Sequence, residues 1–179
     1  IYYEGKYISR DINKAIYYLT LAADQNIPQA QLSLGIIYSE GKYISQDINK
    51  SIHYFTLAAN QNYPEAQYNL GNIYNKGEYI ARDISKAIYY LTLAAKQNDQ
   101  QAQFNLGLIY YLIGTQKNIN LGIYWILESA EKGSINACFF IGFVYHEGKH
   151  VNQDIKKSIH YYKEASSFNN QYAKNKLGI

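Results

Sequence analysis

The chain has 179 residues, of which 47% are hydrophobic and 16% aromatic, so it can bury a substantial core and is neither disordered nor fibrous. Its 17 basic and 14 acidic residues are interspersed, without the run of like charge that nucleic acid or an anionic membrane would attract. No apolar segment approaches the roughly 20 residues of a membrane-spanning helix. We therefore expect no nucleic-acid partner and no direct membrane insertion, and the compartment stays undetermined, with the cytoplasm as the default expectation.

The first predicted helix follows Asp11. Apolar residues at Ile12, Ala15, Ile16 and Leu19 have the spacing of an amphipathic helix. Asp11 is the expected N-cap, because its carboxylate can accept a free backbone N–H of the first turn and complements the helix dipole. Later repeats are expected to use the equivalent residues as caps: Asp47, Asp83, Asp154 and, in the fourth unit, Asn118.

A short turn and a second helix come next. The first helix is expected to end at Asn26, since Asn tolerates the left-handed backbone that stops a helix. Pro28 suits the first turn of the second helix, which carries Leu34 and Gly35 and is expected to end at Gly41. Gly35 costs about 1 kcal/mol in helix propensity relative to Ala, which indicates close packing against another helix. The equivalent helix stops and prolines are Asn62, Asn98, Gly133 and Pro64.

The Leu-Gly pair recurs along the whole chain. Its glycines are separated by 36, 36, 35 and 36 residues and stand at Gly35, Gly71, Gly107, Gly142 and Gly178. Such a period predicts a solenoid, in which each unit is helix, short turn, helix and longer link, and stacking buries the apolar stripes. The chain opens inside a repeat, since Ile1–Gly5 match Ile37–Gly41, and it closes on the start of another helix. We expect a single array over residues 1–179, a fragment of a longer chain with partial repeats at both ends.

The fourth unit departs from this pattern. Residues 111–116 replace the usual link, one residue is lost, and Trp125 takes the place of Tyr90. The helix before this link is expected to run further. Two explanations stay open, a tolerated variant of the link and a specialised recognition element.

One repeated string carries a family resemblance. It reads Ala-x-aromatic-x-Leu-Gly-x-x-Tyr, then Asp-Ile-x-Lys-Ala-Ile-x-Tyr and Ala-Ala, and the residues that match are Ala102, Phe104, Leu106, Gly107 and Tyr110, with Asp83, Lys86, Ala87, Tyr90, Ala94 and Ala95. The string resembles the Sel1-like repeat family, a relative of the tetratricopeptide repeats. The resemblance implies an all-α fold, a right-handed α-solenoid of stacked antiparallel helix pairs with about five repeats of 35–36 residues. It further implies that the first helix of each unit lines a concave side, and that the protein is a scaffold or adaptor.

Cysteine usage separates two branches of that family. A cysteine-rich bacterial branch is linked to small-molecule binding and pairs cysteines within each repeat. Cys138 is the only cysteine here, so no intrachain disulfide can form and this alternative, a small-molecule-binding or hydrolytic protein, is disfavoured. Its place inside a predicted helix favours a small buried core residue over a reactive thiol.

No constellation of catalytic residues stands out. His146 and His150 are four residues apart, but Gly148 is expected to end the helix between them, so we expect no metal there. The glycines stand singly and form no phosphate-binding loop. We therefore expect a protein that is not an enzyme, with no catalytic residue, no metal and no cofactor.

The remaining candidate is a concave binding surface. The register of the Leu-Gly pair predicts these partner-binding residues: Asn72, Asn75, Lys76, Leu108, Tyr111, Phe143 and His146. We hypothesise a peptide, helix or protein partner, with Asn72 and Asn75 bonding to its backbone and the apolar residues holding its side chains. Two alternatives stay open. Leu108, Tyr111 and Phe143 could pack against Trp125 or the next unit, and the array could self-associate through exposed repeat ends.

Overall fold

A computed structural model of the protein describes residues 11–167 and 171–178, and every regular element in these ranges is an α-helix. The helices are α1 Ile12–Asp24, α2 Pro28–Glu40, α3 Ile48–Asn60, α4 Pro64–Lys76, α5 Ile84–Lys96, α6 Gln100–Ile113, α7 Gln116–Glu131, α8 Ile135–Glu147, α9 Ile155–Ser167 and α10 Gln171–Leu177. The chain divides into two compact units, residues 1–94 (unit 1) and 95–179 (unit 2). Within the described ranges, no helix has the length and apolar character needed to cross a membrane.

The predicted aspartate caps are confirmed. The Asp11 carboxylate accepts a hydrogen bond from the backbone N–H of Lys14 at 3.1 Å, and Asp47 accepts one from Lys50 at 2.9 Å. Asp83 and Asp154 repeat the contact with the residue three positions on, each at 2.9 Å. These bonds satisfy a backbone donor that the first turn leaves unpaired.

The predicted cap at Asn118 is wrong. The N-cap of α7 is Thr115, whose hydroxyl oxygen accepts from the backbone N–H of Asn118 at 3.3 Å. Gly114, at φ 84°, ends α6 in the left-handed conformation, and Thr115 directly after it can cap the next helix, so α7 begins at Gln116. As predicted, α6 extends to Ile113 and is one residue longer than α4, with 14 residues against 13.

The predicted helix stops and starts are also confirmed. Asn26, Asn62 and Asn98 have φ values of 60°, 62° and 67°, and Gly133 has 82°. Pro28 is the first residue of α2. The left-handed region is costly for most side chains and least so for Asn and Gly, which explains those residues at the stops.

The Leu-Gly glycines mark where two helices meet most closely. A Cβ added to Gly35 would lie 2.5 Å from the Phe55 ring, and one added to Gly71 would lie 2.5 Å from Leu91 Cγ. At Gly107 the neighbour is partly backbone, the carbonyl oxygen of Gly122 at 2.8 Å. The close partner of each Leu-Gly helix is thus the aspartate- or threonine-capped helix that follows it across the longer link. Sequence analysis predicted a different unit, in which each capped helix pairs with the Leu-Gly helix that follows it across the short turn.

A buried glutamine joins consecutive helices. Gln31, fully buried in α2, donates from Nε2 to the carbonyl of Ala23 at 3.2 Å, and its Oε1 accepts from Gln61 Nε2 at 2.7 Å. It therefore fastens the ends of α1 and α3 to α2. In unit 2, Gln103 makes the same kind of bond, from Nε2 to the carbonyl of Ala95 at 3.1 Å. Since a buried amide is costly unless paired, these contacts fix which residues face each other.

Candidate functional site

The titratable residues that sequence analysis weighed for chemistry do not converge. Cys138 is 3% exposed, and its thiol donates to the carbonyl of Ala130, with 3.7 Å between Sγ and oxygen. Burial, and then the charge of Glu164, raise the pKa of this thiol, so the nucleophilic thiolate is disfavoured. The prediction that Cys138 is a core residue is confirmed. The described residues contain no group of three or more His, Cys, Asp or Glu side chains placed to hold a metal ion.

The two histidines of the His-x-x-x-His spacing belong to different elements. His146 lies in the last turn of α8, which ends at Glu147, and Gly148 has a φ of 65°. His150 lies beyond this turn, where its ring meets the ring of Tyr111 edge-on at 5.3 Å between centroids. The left-handed glycine thus breaks the helical spacing on which joint metal ligation by the pair would depend.

A clamp of aromatic rings closes three of the longer links. The rings of Tyr38 and Tyr54 are stacked, 5.9 Å apart with an interplanar angle of 5°, and Lys50 Nζ lies 5.1 Å from the Tyr38 centroid. Lys50 also pairs with the cap residue Asp47 at 3.7 Å. Equivalent clamps are formed by Lys86, Tyr74 and Tyr90, and by Lys157, Tyr145 and Tyr161. These tyrosines and lysines recur because they stabilise the repeat, so their recurrence does not indicate a ligand-binding site.

The predicted polar site residues in unit 1 lie on α4. The carbonyl of Asn75 accepts from Arg82 Nε at 2.8 Å, and its side-chain Oδ1 accepts from Arg82 Nη2 at 3.3 Å. Asn75 therefore helps to close the link after α4. Asn72 is half-buried and Lys76 is exposed.

The predicted site residues in unit 2 come together on α6 and α8. Leu108 and Tyr111 are half-buried against the core of this unit. The Tyr111 ring meets Phe140 edge-on at 5.2 Å, and the Phe140 and Phe143 centroids are 6.5 Å apart. Burial raises the pKa of Tyr111, so its hydroxyl stays protonated at neutral pH. His146 is exposed, and its carbonyl accepts from Gln153 Nε2 at 2.8 Å.

Three large apolar side chains of the same two helices are exposed. Leu112 is 78% exposed, Ile113 45% and Phe143 39%. We call these three residues, together with Tyr111 and Phe140, the apolar patch. An apolar surface that the fold leaves uncovered is typical of an interaction site.

Sequence reasoning missed Phe140 and Ile113. In the repeat register, Phe140 aligns with Ser33, Asn69 and Asn105, and Ile113 aligns with Gly41, Gly77 and Gly148. In two of those repeats the polar side chain bonds to its own helix, Ser33 to the Gln29 carbonyl at 2.8 Å and Asn69 to the Glu65 carbonyl at 2.9 Å. A residue-by-residue comparison of the repeats would have found both, because the fold does not require an apolar residue at either position.

Comparison with known proteins identifies the repeat. The family model described as "Sel1 repeat" matches residues 1–27, 28–63, 64–99, 100–134 and 135–167. Each full match begins with a Leu-Gly helix and ends after the capped helix that follows it, the same pairing that the glycine contacts show. No significant match is found among curated proteins.

Solved structures with the same fold extend the likeness. A Sel1 repeat protein from Oxalobacter formigenes is 35% identical with a TM-score of 0.87, over 99% of this chain and 73% of that protein. A protective antigen present in uropathogenic Escherichia coli strains, which displays an SLR fold, is 29% identical with a TM-score of 0.91, over 99% of this chain and 38% of the antigen. An immunity protein from Pseudomonas aeruginosa, 20% identical with a TM-score of 0.58 over 88% of this chain and 59% of its own, shares the fold alone. The predicted all-α, Sel1-like solenoid class is thus confirmed.

Proposed function

Since the chain belongs to the Sel1 repeat family, whose members typically act as non-enzymatic scaffolds for protein interactions, we propose that it is a non-catalytic adaptor and that the apolar patch binds a protein or peptide partner. The single observation that carries this proposal is the exposure of Leu112, Ile113 and Phe143 at the ends of two Leu-Gly helices.

Alignment of the repeats supports a role for the patch beyond the fold. The residues aligned with Leu112 are Glu40, Lys76 and Glu147, all exposed and charged. The fold thus accepts a charged side chain at this position and gains nothing from an exposed leucine. The fourth unit is the one with the altered link, so of the two explanations left open, we favour a recognition element over a tolerated variant.

The patch has the composition of an interface centre. Fully burying a leucine or phenylalanine side chain is worth roughly 1.5–3 kcal/mol. Leu112, which is 78% exposed, retains most of that gain for a partner, whereas Phe143, at 39%, retains less. Phe140 lies between the rings of Tyr111 and Phe143, which limits the movement of Phe143. Such rigid, clustered apolar anchors are typical of the few residues that dominate protein binding.

The polar residues of unit 1 form a separate part of the proposal. Lys76 is exposed and Asn72 is half-buried, and each could contact a partner's backbone or side chains. Asn75 is a weaker candidate than the sequence suggested, because Arg82 already uses its side-chain oxygen.

A pull-down from cells that make the protein tests the patch. The wild type would be compared with the double variant Leu112→Ser/Phe143→Ser, and with Tyr124→Ser, which removes an exposed aromatic residue of α7 outside the patch as a matched control. We expect the double variant to lose at least one partner that both other proteins retain. If the double variant stays helical by circular dichroism and retains every partner, the apolar patch is not the binding site.

A further inference from the structure

The formal charge of the chain is confined to unit 2. Residues 1–94 contain 8 Lys and Arg against 8 Asp and Glu, whereas residues 95–179 contain 9 against 6, so the net charge of +3 comes from the second range. Charge asymmetry between parts of a chain indicates the sign of the partner that each part attracts.

Two lysines of unit 2 flank the apolar patch in the chain. Lys117 lies four residues after Ile113, in the first turn of α7, and Lys149 directly precedes His150, whose ring contacts Tyr111. Both lysines are exposed, and neither forms an ion pair with any described residue. Lys132 and Lys157, by contrast, are paired with Glu128 and Asp154.

The position of Lys117 does not benefit its own helix. A cation in the first turn opposes the helix dipole. The first-turn lysines of α3, α5 and α9 offset this through their cap aspartates, 3.7 to 3.9 Å away, but the cap of α7 is the uncharged Thr115. Lys117 therefore carries a positive charge that no cap aspartate offsets, four residues after Ile113 of the patch.

One acidic residue also lies near the patch in the chain. Glu147, at the end of α8, is exposed, and its charge adds to the effect of burial in raising the pKa of Tyr162 in α9. Lys117, Lys149 and Glu147 together leave a net positive charge next to the apolar patch in the chain.

We propose that the apolar patch binds an acidic amphipathic helix of a protein partner, an inference that rests on the proposed adaptor function. The apolar stripe of that helix covers Leu112, Ile113 and Phe143, and its carboxylates meet Lys117 and Lys149. The Tyr111 ring of α6 meets the Phe140 ring of α8, so apolar side chains of two helices can contact one apolar stripe of such a partner. The two lysines favour a partner of negative charge and speed its association.

A pair of synthetic helical peptides tests this proposal. The two share one apolar stripe and differ only in the flanking residues, Glu in one and Lys in the other, and binding to the whole chain is followed by fluorescence anisotropy. Because exposed ion pairs are individually weak, we expect the acidic peptide to bind about fivefold to tenfold more tightly at low salt. The difference should shrink towards parity at about 1 M salt, where charges are screened beyond ~3 Å.

Variants of the protein separate the contribution of the lysines from that of the apolar side chains. Lys117→Glu/Lys149→Glu should reverse the preference, whereas Lys156→Glu/Lys163→Glu, an equal charge change on exposed residues of α9, should preserve it. Leu112→Ser/Phe143→Ser should weaken the binding of both peptides. If the two peptides bind equally well and both lose affinity in this last variant, the partner is not acidic, and the adaptor function still stands. If neither peptide binds, or if binding survives the loss of Leu112 and Phe143, the apolar patch is not the binding site.

Discussion

At the scale of single residues, Tyr162 carries a hydroxyl that the fold does not use. This side chain is 2% exposed, and its oxygen has no hydrogen-bond partner among the described residues. Its ring packs over Gly142, as the ring of Phe55 packs over Gly35. The same repeat position is filled by Phe55, Leu91, Ile126 and Tyr162, so the fold needs a large apolar side chain there and no hydroxyl.

Removing that hydroxyl should not harm the protein. We expect Tyr162→Phe to leave the free energy of unfolding unchanged or to raise it by about 1–2 kcal/mol, because an unpaired buried polar group is lost. The folded-state pKa of Tyr162 is raised, so its contribution is present below the unfolded value of about 10 and is lost as pH rises. The variant should consequently lose less stability above pH ~10. Urea unfolding at neutral and alkaline pH measures both effects, and a loss of more than about 1 kcal/mol at pH 7 would contradict this account.

Local signals explain why single residues were predictable. The cap Asp11 and the stop Asn26 act within one turn of chain, so their chemistry can be read without knowledge of the fold. Asn118 was assigned as a cap by alignment of repeats rather than from its own neighbours. That assignment failed because Thr115 caps the helix three residues earlier and accepts from the backbone N–H of Asn118 itself.

At the scale of helices, the glycine contacts determine which pairs form a unit. A capped helix could form a unit with the Leu-Gly helix before it or with the one after it. Both groupings have the same sequence period, so periodicity could not distinguish them. The contact of Gly71 with Leu91 across the longer link does so, because it brings α4 and α5 within van der Waals reach. Long-range contact of this kind is a tertiary property that local propensity does not contain.

Gly71→Ala tests the closeness of this pair. Alanine has the better helix propensity by about 1 kcal/mol, but its Cβ would lie 2.5 Å from Leu91 Cγ and 3.2 Å from the Leu91 backbone nitrogen. We expect a net destabilisation of about 1–3 kcal/mol, measured by urea unfolding.

The double variant Gly71→Ala/Leu91→Ala provides the control. Alanine at position 91 removes the atom nearest to the new Cβ. The double variant should therefore lose less stability than the sum of the two single variants, by about 1 kcal/mol or more. Additive losses, or a Gly71→Ala protein as stable as the wild type, would mean that α4 and α5 are not held in close contact at this glycine.

At the scale of the whole molecule, fold and function differ in how far the sequence determines them. The five matched repeats and the all-helical class follow from residues that recur, such as Leu106, Gly107 and Asp83. The proposed partner site depends on residues that do not recur. Tyr111 and Phe143 were found by register, whereas Phe140 and Ile113 required a comparison of each repeat with the others, because the aligned residues are polar or glycine. The contact between Tyr111 and Phe140 is a tertiary property that only the fold reveals.

Photo-crosslinking in cells tests the central proposal, that the apolar patch binds a protein partner. A photoreactive amino acid would replace Leu112 in one protein and Tyr124 in another, because both side chains are exposed in unit 2 and only the first lies in the patch. We predict a discrete crosslinked protein from position 112 that is absent from position 124 and that disappears when Phe143→Ser is added. No crosslink at position 112, or the same crosslink pattern at both positions, would contradict the account.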